Sequence, residues 1–512
     1  MVEFKELTQK DLDQIEARGI SVSKIKIQLE NFEKGFPFAN IYNAATVGDG
    51  IVKPTDFEIQ TCIDNFERMK DKYKILKFVP SSGAASRMFK ELVKFSLGNG
   101  DDIDKYPDIK KSLQNIEKFA FADKLKSKLR KYGLNLETLT ANQDYKTIAE
   151  FILLDKGLDY QKKPKAMLEF HKYDEDSRTP FEEHLVEGAV YATDTNKVVH
   201  LHYTISSEHR DMFNKKILEV VSKYEEKYGV KYDITLSEQK PKTDMLAINM
   251  ADGKLVRNSD GSLLFRPGGH GALIENLNDC TEDIIFIKNI DNVTVDRLKG
   301  DTYTYKKFLA GLLMMLVEQT NKALEDLDSL SINNARLAQI EAFASTMLQI
   351  KTKLTYFALS PREKVAFWHQ KLNRPIRVCG MVRNEGEPGG GPYWVKNSIG
   401  ETSLQIIESS QIDFNNQFQR ELVQKSSHFN PVDLVCSVKN YKGNKFNLKN
   451  YIDPQTGFIS SKSQNGIDMK IQELPGLWNG SMANWITVFV EVPPTTFTPV
   501  KTLVDLLRPE HQ

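Results

Sequence analysis

The spacing of apolar and charged positions predicts a helical start to the chain, followed by a change at residue 74. Residues 1 to about 72 have helical periodicity, with Thr8 as an N-cap and Pro54-Thr55 opening a second helix. The apolar run 74–79 predicts a strand. From about 90 to 160 the pattern is again helical and rich in lysine, so we interpret this stretch as an insertion.

Beyond about residue 161 the patterns of strands and helices alternate. Strands are predicted at 198–205, 232–239 and 283–290, with a helix at 207–229 between the first two. Residues 301–372 are helical, and short strands separated by loops rich in Gly and Pro follow. This alternation indicates an α/β fold with a parallel or mixed sheet covered on both faces.

Composition limits the function classes. The 512 residues contain 69 Lys+Arg and 69 Asp+Glu, and this zero net charge argues against a bulk nucleic-acid or membrane binder. The charged first residues do not resemble a secretory signal, and the apolar stretch 308–317 is too short to span a bilayer. The four cysteines lack metal-ligand spacing, which favours reduced thiols. We therefore expect a soluble, cytoplasmic protein.

The turn after the first strand is the first candidate for chemistry. It reads Ser81-Ser82-Gly83-Ala84-Ala85-Ser86 and ends on Arg87. Small residues allow close approach of a phosphate to backbone N–H groups, and Arg87 would neutralise an anion. A plain strand–turn–helix joint remains the alternative for this segment alone.

Three more segments combine unusual backbone with a charged or polar side chain. Lys165 follows Pro164, and its alternative is a solvated surface charge. The backbone has unusual freedom at Pro267-Gly268-Gly269-His270-Gly271, which favours a turn that lies close to a ligand. The alternative interpretation is a plain turn. Asp291 lies just past the strand 283–290, where a carboxylate would bind a divalent cation. The alternative interpretation is that Asp291 only forms an Asx turn.

Further candidates lie towards the C-terminus. They are Glu408, Lys462 and Lys501, the last held between Pro499-Val500 and Thr502. The histidines at 184, 209 and 428 lack zinc-ligand spacing and are interpreted as structural. Residues 383–394 are interpreted as a surface loop, with a lid as the less favoured alternative.

In this order the segments resemble the motifs of UDP-sugar pyrophosphorylases, a family of nucleotidyltransferases. Residues 82–88 stand where that family has Gly-Gly-x-Gly-Thr-Arg followed by Leu or Met, and Pro164-Lys165 matches its Pro-Lys pair. "RPGGHG" is similar to its Pro-Pro-Gly-His-Gly turn, and "IFIKNIDNV" to its Asn-x-Asp-Asn strand end. "SEQKPK", "QIIESSQ" and "TFTPVKTLVDLL" resemble three further family segments. The chain also resembles a bacterial family known only as a domain of unknown function.

The resemblance implies an α/β fold with a Rossmann-like mixed sheet of the nucleotide-diphospho-sugar transferase (GT-A) type. It implies a helical N-terminal segment (1–72), a nucleotidyltransferase-like core (73–415) with helical insertions at about 90–160 and 301–372, and a C-terminal α/β part (416–512). The implied reaction joins a nucleoside triphosphate, expected to be UTP, to a sugar 1-phosphate and releases pyrophosphate. Neither nucleic acid nor membrane is an expected partner.

The resemblance also assigns roles to residues. Arg87, Lys165 and Lys501 are the implied catalytic cations, and Asp291 is the implied Mg²⁺ ligand. Glu408 and Lys462 are the implied sugar-binding residues. The implied nucleotide-binding residues are Ser82, Gly83, Ala84, Ala85, Ser86, Gln239, Gly269, His270 and Gly271.

Two departures from the family keep alternatives open. Ser82 and Ala85 replace glycines of the signature loop, so each adds a Cβ there. We expect Gly83 to occupy the one position that must remain glycine. The alternatives to an active transferase are a non-catalytic nucleotide-sugar-binding protein and a glycosyltransferase of similar fold.

Overall fold

The computed structural model describes residues 7–83, 85–98, 102–174, 176–329, 332–386, 389–464 and 466–512. Ala84, a predicted nucleotide-binding residue, therefore lies outside the described residues. The helices are α1 Gln9–Ala17, α2 Val22–Lys34, α3 Asp56–Met69, α4 Lys90–Leu97, α5 Pro107–Gln114, α6 Ala122–Arg130, α7 Leu136–Ala141, α8 Tyr145–Leu153, α9 Pro180–Tyr191, α10 Arg210–Tyr228, α11 Ile274–Leu277, α12 Lys299–Asp328, α13 Asn334–Thr346, α14 Pro361–Leu372 and α15 Gln417–Gln424.

The strands are short, and most of the longer ones coincide with apolar runs of the sequence. They are β1 Ile41–Ala44, β2 Thr46–Val47, β3 Gly50–Val52, β4 Ile75–Pro80, β5 His171–Lys172, β6 Ser177–Arg178, β7 Val198–Ile205, β8 Lys231–Glu238, β9 Met245–Asn249, β10 Phe265–Arg266, β11 Ile284–Lys288, β12 Ile376–Arg383, β13 Gly391–Lys396, β14 Thr402–Ile407, β15 His428–Ser437, β16 Phe458–Gln464, β17 Ile467–Glu473 and β18 Ile486–Glu491.

The chain forms two compact units, and each is built from separate stretches of sequence. The first unit contains residues up to Tyr73, Gln239–Ile285 and Phe308–Val492, and the second contains Lys74–Glu238, Phe286–Lys307 and Pro493–Gln512. The predicted domain boundaries, at residues 72/73 and 415/416, stay predictions.

The first unit contains a mixed sheet with strand order β2-β3-β18-β12-β15. β3, β18 and β12 run parallel, whereas β15 is antiparallel to β12. Two smaller antiparallel sheets have the orders β1-β13-β14 and β10-β9-β17-β16. The apolar stretch 308–317 lies in α12, where Leu309, Leu313 and Leu316 are buried, so its prediction as a buried helix is confirmed.

The second unit contains strands in the order β11-β4-β7-β8, of which β4, β7 and β8 run parallel. Helices α4 to α8 form the predicted insertion and share an apolar core with Ala85, Phe89, Val500 and Leu503. α9 begins at a capping box in which Thr179 and Glu182 bond each other's backbone N–H groups. The predicted α/β class with a mixed sheet and helical insertions is confirmed.

Some elements were not predicted. β1, β2 and β3 interrupt the helical segment predicted for residues 1–72, and at two to four residues each they are too short to show a period. Part of the predicted surface loop 383–394 belongs to strands, with β12 reaching Arg383 and β13 beginning at Gly391. The hairpin of β16 and β17 was also missed, because its serines and charges weaken the strand signal.

Among the described helices, none combines the length and the apolar character needed to cross a membrane. The four cysteines are buried and free, as predicted from their spacing.

A buried ion cluster ties the strands of the second unit to α9. Glu187 accepts from Lys77 of β4 through Oε2 (2.9 Å) and from Lys288 of β11 through Oε1 (2.8 Å), and these side chains are almost inaccessible to solvent. Burial opposes ionisation of Glu187, but Lys288 and Lys77 outweigh it and hold the pKa of this carboxyl well below its usual range. The cluster fixes the two strands that lead to the turn at residues 81–87 and to Asp291.

Replacing Glu187 by Gln should destabilise the protein by about 3–5 kcal/mol, because it leaves two buried ammonium groups without a counter-ion. Denaturant unfolding of the Glu187→Gln variant measures this loss. The matched control is Glu219→Gln, whose exposed carboxylate lies 3.9 Å from Lys215 and whose loss should change stability by less than about 0.5 kcal/mol. Equal stability of both variants would contradict the structural role of the cluster.

Candidate active site

The turn after β4 is anchored to the end of β7. Ser81 donates to Thr204 O through both its backbone N–H (3.0 Å) and its hydroxyl (2.8 Å), and Ser206 Oγ donates to Ser82 O (2.9 Å). A 3₁₀ turn over Ala85–Arg87 follows, and Ala85 N–H donates to Lys163 O (3.3 Å). The turn is therefore held close to the Pro164-Lys165 segment by backbone bonds.

Side chains of this turn divide between core and solvent. Ala85 is fully buried in the apolar core of the second unit, whereas Ser82 is half-buried and Ser86 and Arg87 are exposed. Gly83 is exposed, its φ lies outside the left-handed region, and an added Cβ would meet nothing within 4 Å. The protein's own described atoms therefore give no steric reason for glycine at 83, and the expectation that Gly83 must be glycine in a phosphate-binding loop stays a prediction.

The second unit brings Lys165, Asp291 and Lys501 together around one carboxylate. Lys165 Nζ lies 2.8 Å from Asp291 Oδ2, and Lys501 Nζ lies 3.3 Å from the same oxygen. Lys165 also donates to Val500 O at 2.7 Å. The lysine at 165 is buried, so its alternative interpretation as a solvated surface charge is wrong. The ammonium of Lys501 is reachable, because its side chain is 56% exposed.

Hydrogen bonds of the backbone hold the segment that contains Asp291 against the segment that contains Lys501. Val500 N–H donates to Asp291 O (3.1 Å), and Thr498 N–H donates to Asn292 Oδ1 (2.9 Å). Asp505 Oδ2 accepts from the N–H groups of Lys501 (2.8 Å) and Thr502 (2.7 Å). The backbone of Lys501 is therefore held in place by a capped turn.

The electrostatics of this cluster favour an anionic ligand. Burial opposes ionisation of Asp291, but the charges of Lys165 and Lys501 hold the pKa of its carboxyl below its usual value. Two ammonium groups on one carboxylate leave one positive charge uncompensated. The carboxylate makes ion pairs here, so the alternative in which Asp291 serves only an Asx turn is wrong.

The donor set for a metal is small. Within the described ranges, no group of three or more His, Cys, Asp and Glu side chains is placed to hold a metal ion. Mg²⁺ commonly takes one protein carboxylate together with phosphate oxygens and water, so this small donor set leaves Asp291 as a candidate ligand for the ion.

The first unit contains a second cluster, built around His270. The imidazole stacks on Trp478 with ring centroids 4.2 Å apart, and its Nδ1 accepts from Leu477 N–H at 3.1 Å. Because Nδ1 is an acceptor, the neutral ring carries its proton on Nε2, which lies 3.5 Å from Glu408 Oε1. Asn479 Nδ2 donates to the same oxygen at 2.7 Å.

The carboxylate of Glu408 is kept ionised by these neighbours. Burial opposes its ionisation, but the hydrogen bonds from His270 and from the amide of Asn479 lower the pKa of Glu408. The sequence of this region, "LPGLWNGSMANW", is typical of a turn and indicates no role for Trp478 or Asn479. Their contacts depend on tertiary packing, which explains why the sequence did not identify them.

Glycines of the His270 turn have structural reasons of their own. Gly269 has a left-handed φ of 76°. A Cβ on Gly271 would lie 2.1 Å from Pro475 O, and a Cβ on Gly476 would lie 2.5 Å from His270 Cε1. The turn therefore needs glycine in order to pack against residues 475–476.

The remaining predicted residues of the first unit lie in less constrained surroundings. Lys462 is exposed on β16, with Nζ 3.6 Å from Glu473 Oε1. Ser460 Oγ donates to the same oxygen at 2.9 Å. The Nε2 atom of Gln239 is buried and has no hydrogen-bond partner among the described residues.

The fold defines the protein as an α/β protein with a mixed sheet, and each of its two units contains a cluster of charged and polar side chains. The chain belongs to the family described as "Domain of unknown function (DUF4301)", whose profile matches residues 8–512. No curated protein matches the sequence.

Solved structures similar to this chain include pyrophosphorylases. A variant of UDP-glucose pyrophosphorylase from Leishmania major is 12% identical, with 98% of this chain and 78% of that chain covered and a TM-score of 0.45. UDP-N-acetylglucosamine pyrophosphorylase from Trypanosoma brucei is 11% identical, with 98% and 79% covered and a TM-score of 0.47. Because these TM-scores are below 0.5, the likenesses carry no conclusion about activity.

The Gly271→Ala substitution should destabilise the protein by about 2–4 kcal/mol, because its Cβ would collide with the backbone at Pro475. Thermal or denaturant unfolding measures this. Gly83→Ala is the matched control and should leave stability within about 0.5 kcal/mol of the wild type. If Gly271→Ala proved as stable as Gly83→Ala, the close packing of the His270 turn would be refuted.

Proposed function

We propose that this protein is a sugar-1-phosphate nucleotidyltransferase, which joins a nucleoside triphosphate and a sugar 1-phosphate and releases pyrophosphate. The observation that carries the proposal is the pairing of Lys165 and Lys501 on the buried carboxylate of Asp291. These three residues lie in the segments that resemble the Pro-Lys, Asp-Asn and Pro-Val-Lys motifs of UDP-sugar pyrophosphorylases. UTP is the proposed triphosphate.

The charge of this cluster suits phosphoryl chemistry. In the proposed reaction an oxygen of the sugar 1-phosphate attacks the α-phosphorus of the triphosphate, and the bond from this phosphorus to the pyrophosphate oxygen breaks. The attacking phosphate is already anionic, so the protein needs neither a general base nor a nucleophile. The barrier is then dominated by repulsion between anions and by alignment, which fixed cations reduce.

Each cation has a proposed role. Lys165 and Arg87 would hold the leaving pyrophosphate, and Lys501 would hold the sugar phosphate or the α-phosphate. The backbone N–H groups of Ser82 and Gly83 would donate to the triphosphate, because the N–H of Ala85 is already bonded to Lys163 O, and the exposed Gly83 leaves space for close approach of the ligand. Lys165 is buried and donates two hydrogen bonds, so its ammonium group is preorganised. The exposed side chain of Arg87 would become ordered on binding.

Mg²⁺ is the proposed cofactor. Asp291 would hold it together with phosphate oxygens of the substrate, and the ion would supply positive charge to the reacting phosphates. Lys165 and Lys501 occupy the same carboxylate oxygen, so ion binding requires the carboxylate to be shared with them.

The cluster in the first unit is proposed to contact the sugar and the base. The ionised Glu408 is an acceptor for sugar hydroxyls, with Lys462 as a further sugar contact. Gly269, His270 and Gly271 would lie against the base or ribose, and the unsatisfied Gln239 Nε2 provides a donor for a base carbonyl.

The free, buried thiols fit the proposed cytoplasmic location.

Pyrophosphate release should occur when the protein is incubated with Mg²⁺, UTP and a suitable sugar 1-phosphate. A panel of the four nucleoside triphosphates and several sugar 1-phosphates identifies the pair. With that pair, Lys501→Ala and Asp291→Ala should each lower kcat by about 100-fold or more, because each removes a charge that organises the phosphates. Coupled phosphate detection after pyrophosphatase treatment gives the rate.

The matched control is Lys131→Ala, which removes an exposed lysine at the end of α6 and should keep the full rate. Turnover of Lys501→Ala and Asp291→Ala at the wild-type rate would refute the proposed assignment. Binding of a nucleotide sugar without pyrophosphate release across the panel would instead identify a non-catalytic nucleotide-sugar-binding protein.

A further inference from the structure

The first unit contains a cavity of about 260 Å³ that is separate from both clusters described above. The end of α14 and the following loop, the start of β14 and the start of β18 line it. Its side chains include Lys351, Lys371, Arg374, Glu401, Trp485 and Thr487. None of the residues that line it was predicted as a site residue from the sequence.

Positive charge predominates in this cavity. Three cationic side chains and one carboxylate line it. Lys371 is paired with Glu401 at 2.7 Å, and Lys351 is paired with Asp49 at 3.3 Å and lies over the ring of Trp394. Glu401 also attracts Arg374, but one carboxylate cannot neutralise both Lys371 and Arg374, so one positive charge remains.

The guanidinium of Arg374 has unused donors. Its Nε donates to Gln370 O at 3.2 Å, and in the described parts of the chain no carboxylate forms an ion pair with it. Arg374 is half-buried. A planar guanidinium with free terminal N–H groups matches the oxygens of a phosphate or carboxylate.

A second, independent donor lines the same cavity. Trp485 is only 4% exposed, and its Nε1–H has no acceptor among the described residues. A buried N–H without a partner is costly, and a bound ligand oxygen would satisfy it. Thr487, a further residue of the lining, accepts from Arg377 Nε through its Oγ1 at 2.9 Å.

The partial burial of Arg374 and Lys371 also favours an anionic ligand in this cavity. Burial lowers the pKa of Arg374, and burial together with repulsion from Arg374 lowers the pKa of Lys371 despite its pairing with Glu401. Cations that are partly removed from water and repel each other are stabilised by an added anion.

We propose that this cavity is a binding site for a small phosphorylated molecule, with the phosphate group held by Arg374, Lys371 and the Trp485 indole. Several donor side chains line this cavity, and such a number suits the three terminal oxygens of a phosphate better than the two of a carboxylate. The volume exceeds that of a phosphate alone and leaves room for a small substituent.

Inorganic phosphate is the probe, and the indole N–H signals of the four tryptophans in ¹⁵N-labelled protein are the readout. Trp485→Phe assigns the Trp485 signal. We expect phosphate to shift this signal in a saturable manner in wild-type protein. Arg374→Gln should weaken the phosphate Kd obtained from this signal by about tenfold or more, because a charged donor is lost.

Matched variants separate the alternatives. Arg362→Gln removes an exposed arginine of the same helix and should bind phosphate as the wild type does. Lys501→Ala should also leave the Trp485 response unchanged, which distinguishes this site from the proposed catalytic phosphate site. The proposal is overturned if phosphate leaves the Trp485 signal unmoved, if chloride at equal ionic strength shifts it equally, or if folded Arg374→Gln responds with the wild-type Kd.

Discussion

The buried carboxylate of Asp291 is the interaction on which the proposed chemistry depends. It draws Lys165 and Lys501, which lie 126 residues before it and 210 residues after it, to a single oxygen. Without the carboxylate, two ammonium groups would repel each other, and Lys165 would also be buried without a counter-ion. With it, the lysines are fixed close together and the trio retains one positive charge. A phosphate can therefore enter an electrostatic environment that is already organised.

The two clusters achieve order in different ways. In the second unit, charge pairs and backbone bonds hold the cations, and the ion cluster of Lys77, Glu187 and Lys288 fixes the strands that lead to them. In the first unit, shape dominates, because glycine at 271 and 476 lets the His270 turn pack against residues 475–476. The hydrogen bond from Leu477 N–H then sets the tautomer of His270, which turns Nε2–H towards Glu408.

The sequence predicted those features that depend on local physics. The predicted helix starts at Thr8 and Thr55 are capping boxes in the structure, and the apolar runs at β4, β7 and β11 form the predicted strands. The ordered motifs predicted Lys165, Asp291 and Lys501, which the fold does bring together. The very short strands β1 to β3 escaped, because their pairing depends on distant segments that local periodicity does not reveal.

Other parts of the site could not be predicted for reasons of packing. The methyl group of Ala85 belongs to the apolar core, so this departure from the family pattern is explained by burial. Gly83 has no steric need for glycine within the protein, and only a bound ligand would create one. Trp478 and Asn479 act through contacts with His270 and Glu408, residues more than 70 positions away.

A crystal structure of the protein with bound pyrophosphate tests the central claim most directly. The account predicts phosphoryl oxygens of the pyrophosphate within about 3 Å of Nζ of Lys165, at hydrogen-bond distance, because Lys165 and Arg87 are proposed to hold this leaving group. It would be contradicted by pyrophosphate bound away from Lys165, with its ammonium group still paired only with Asp291.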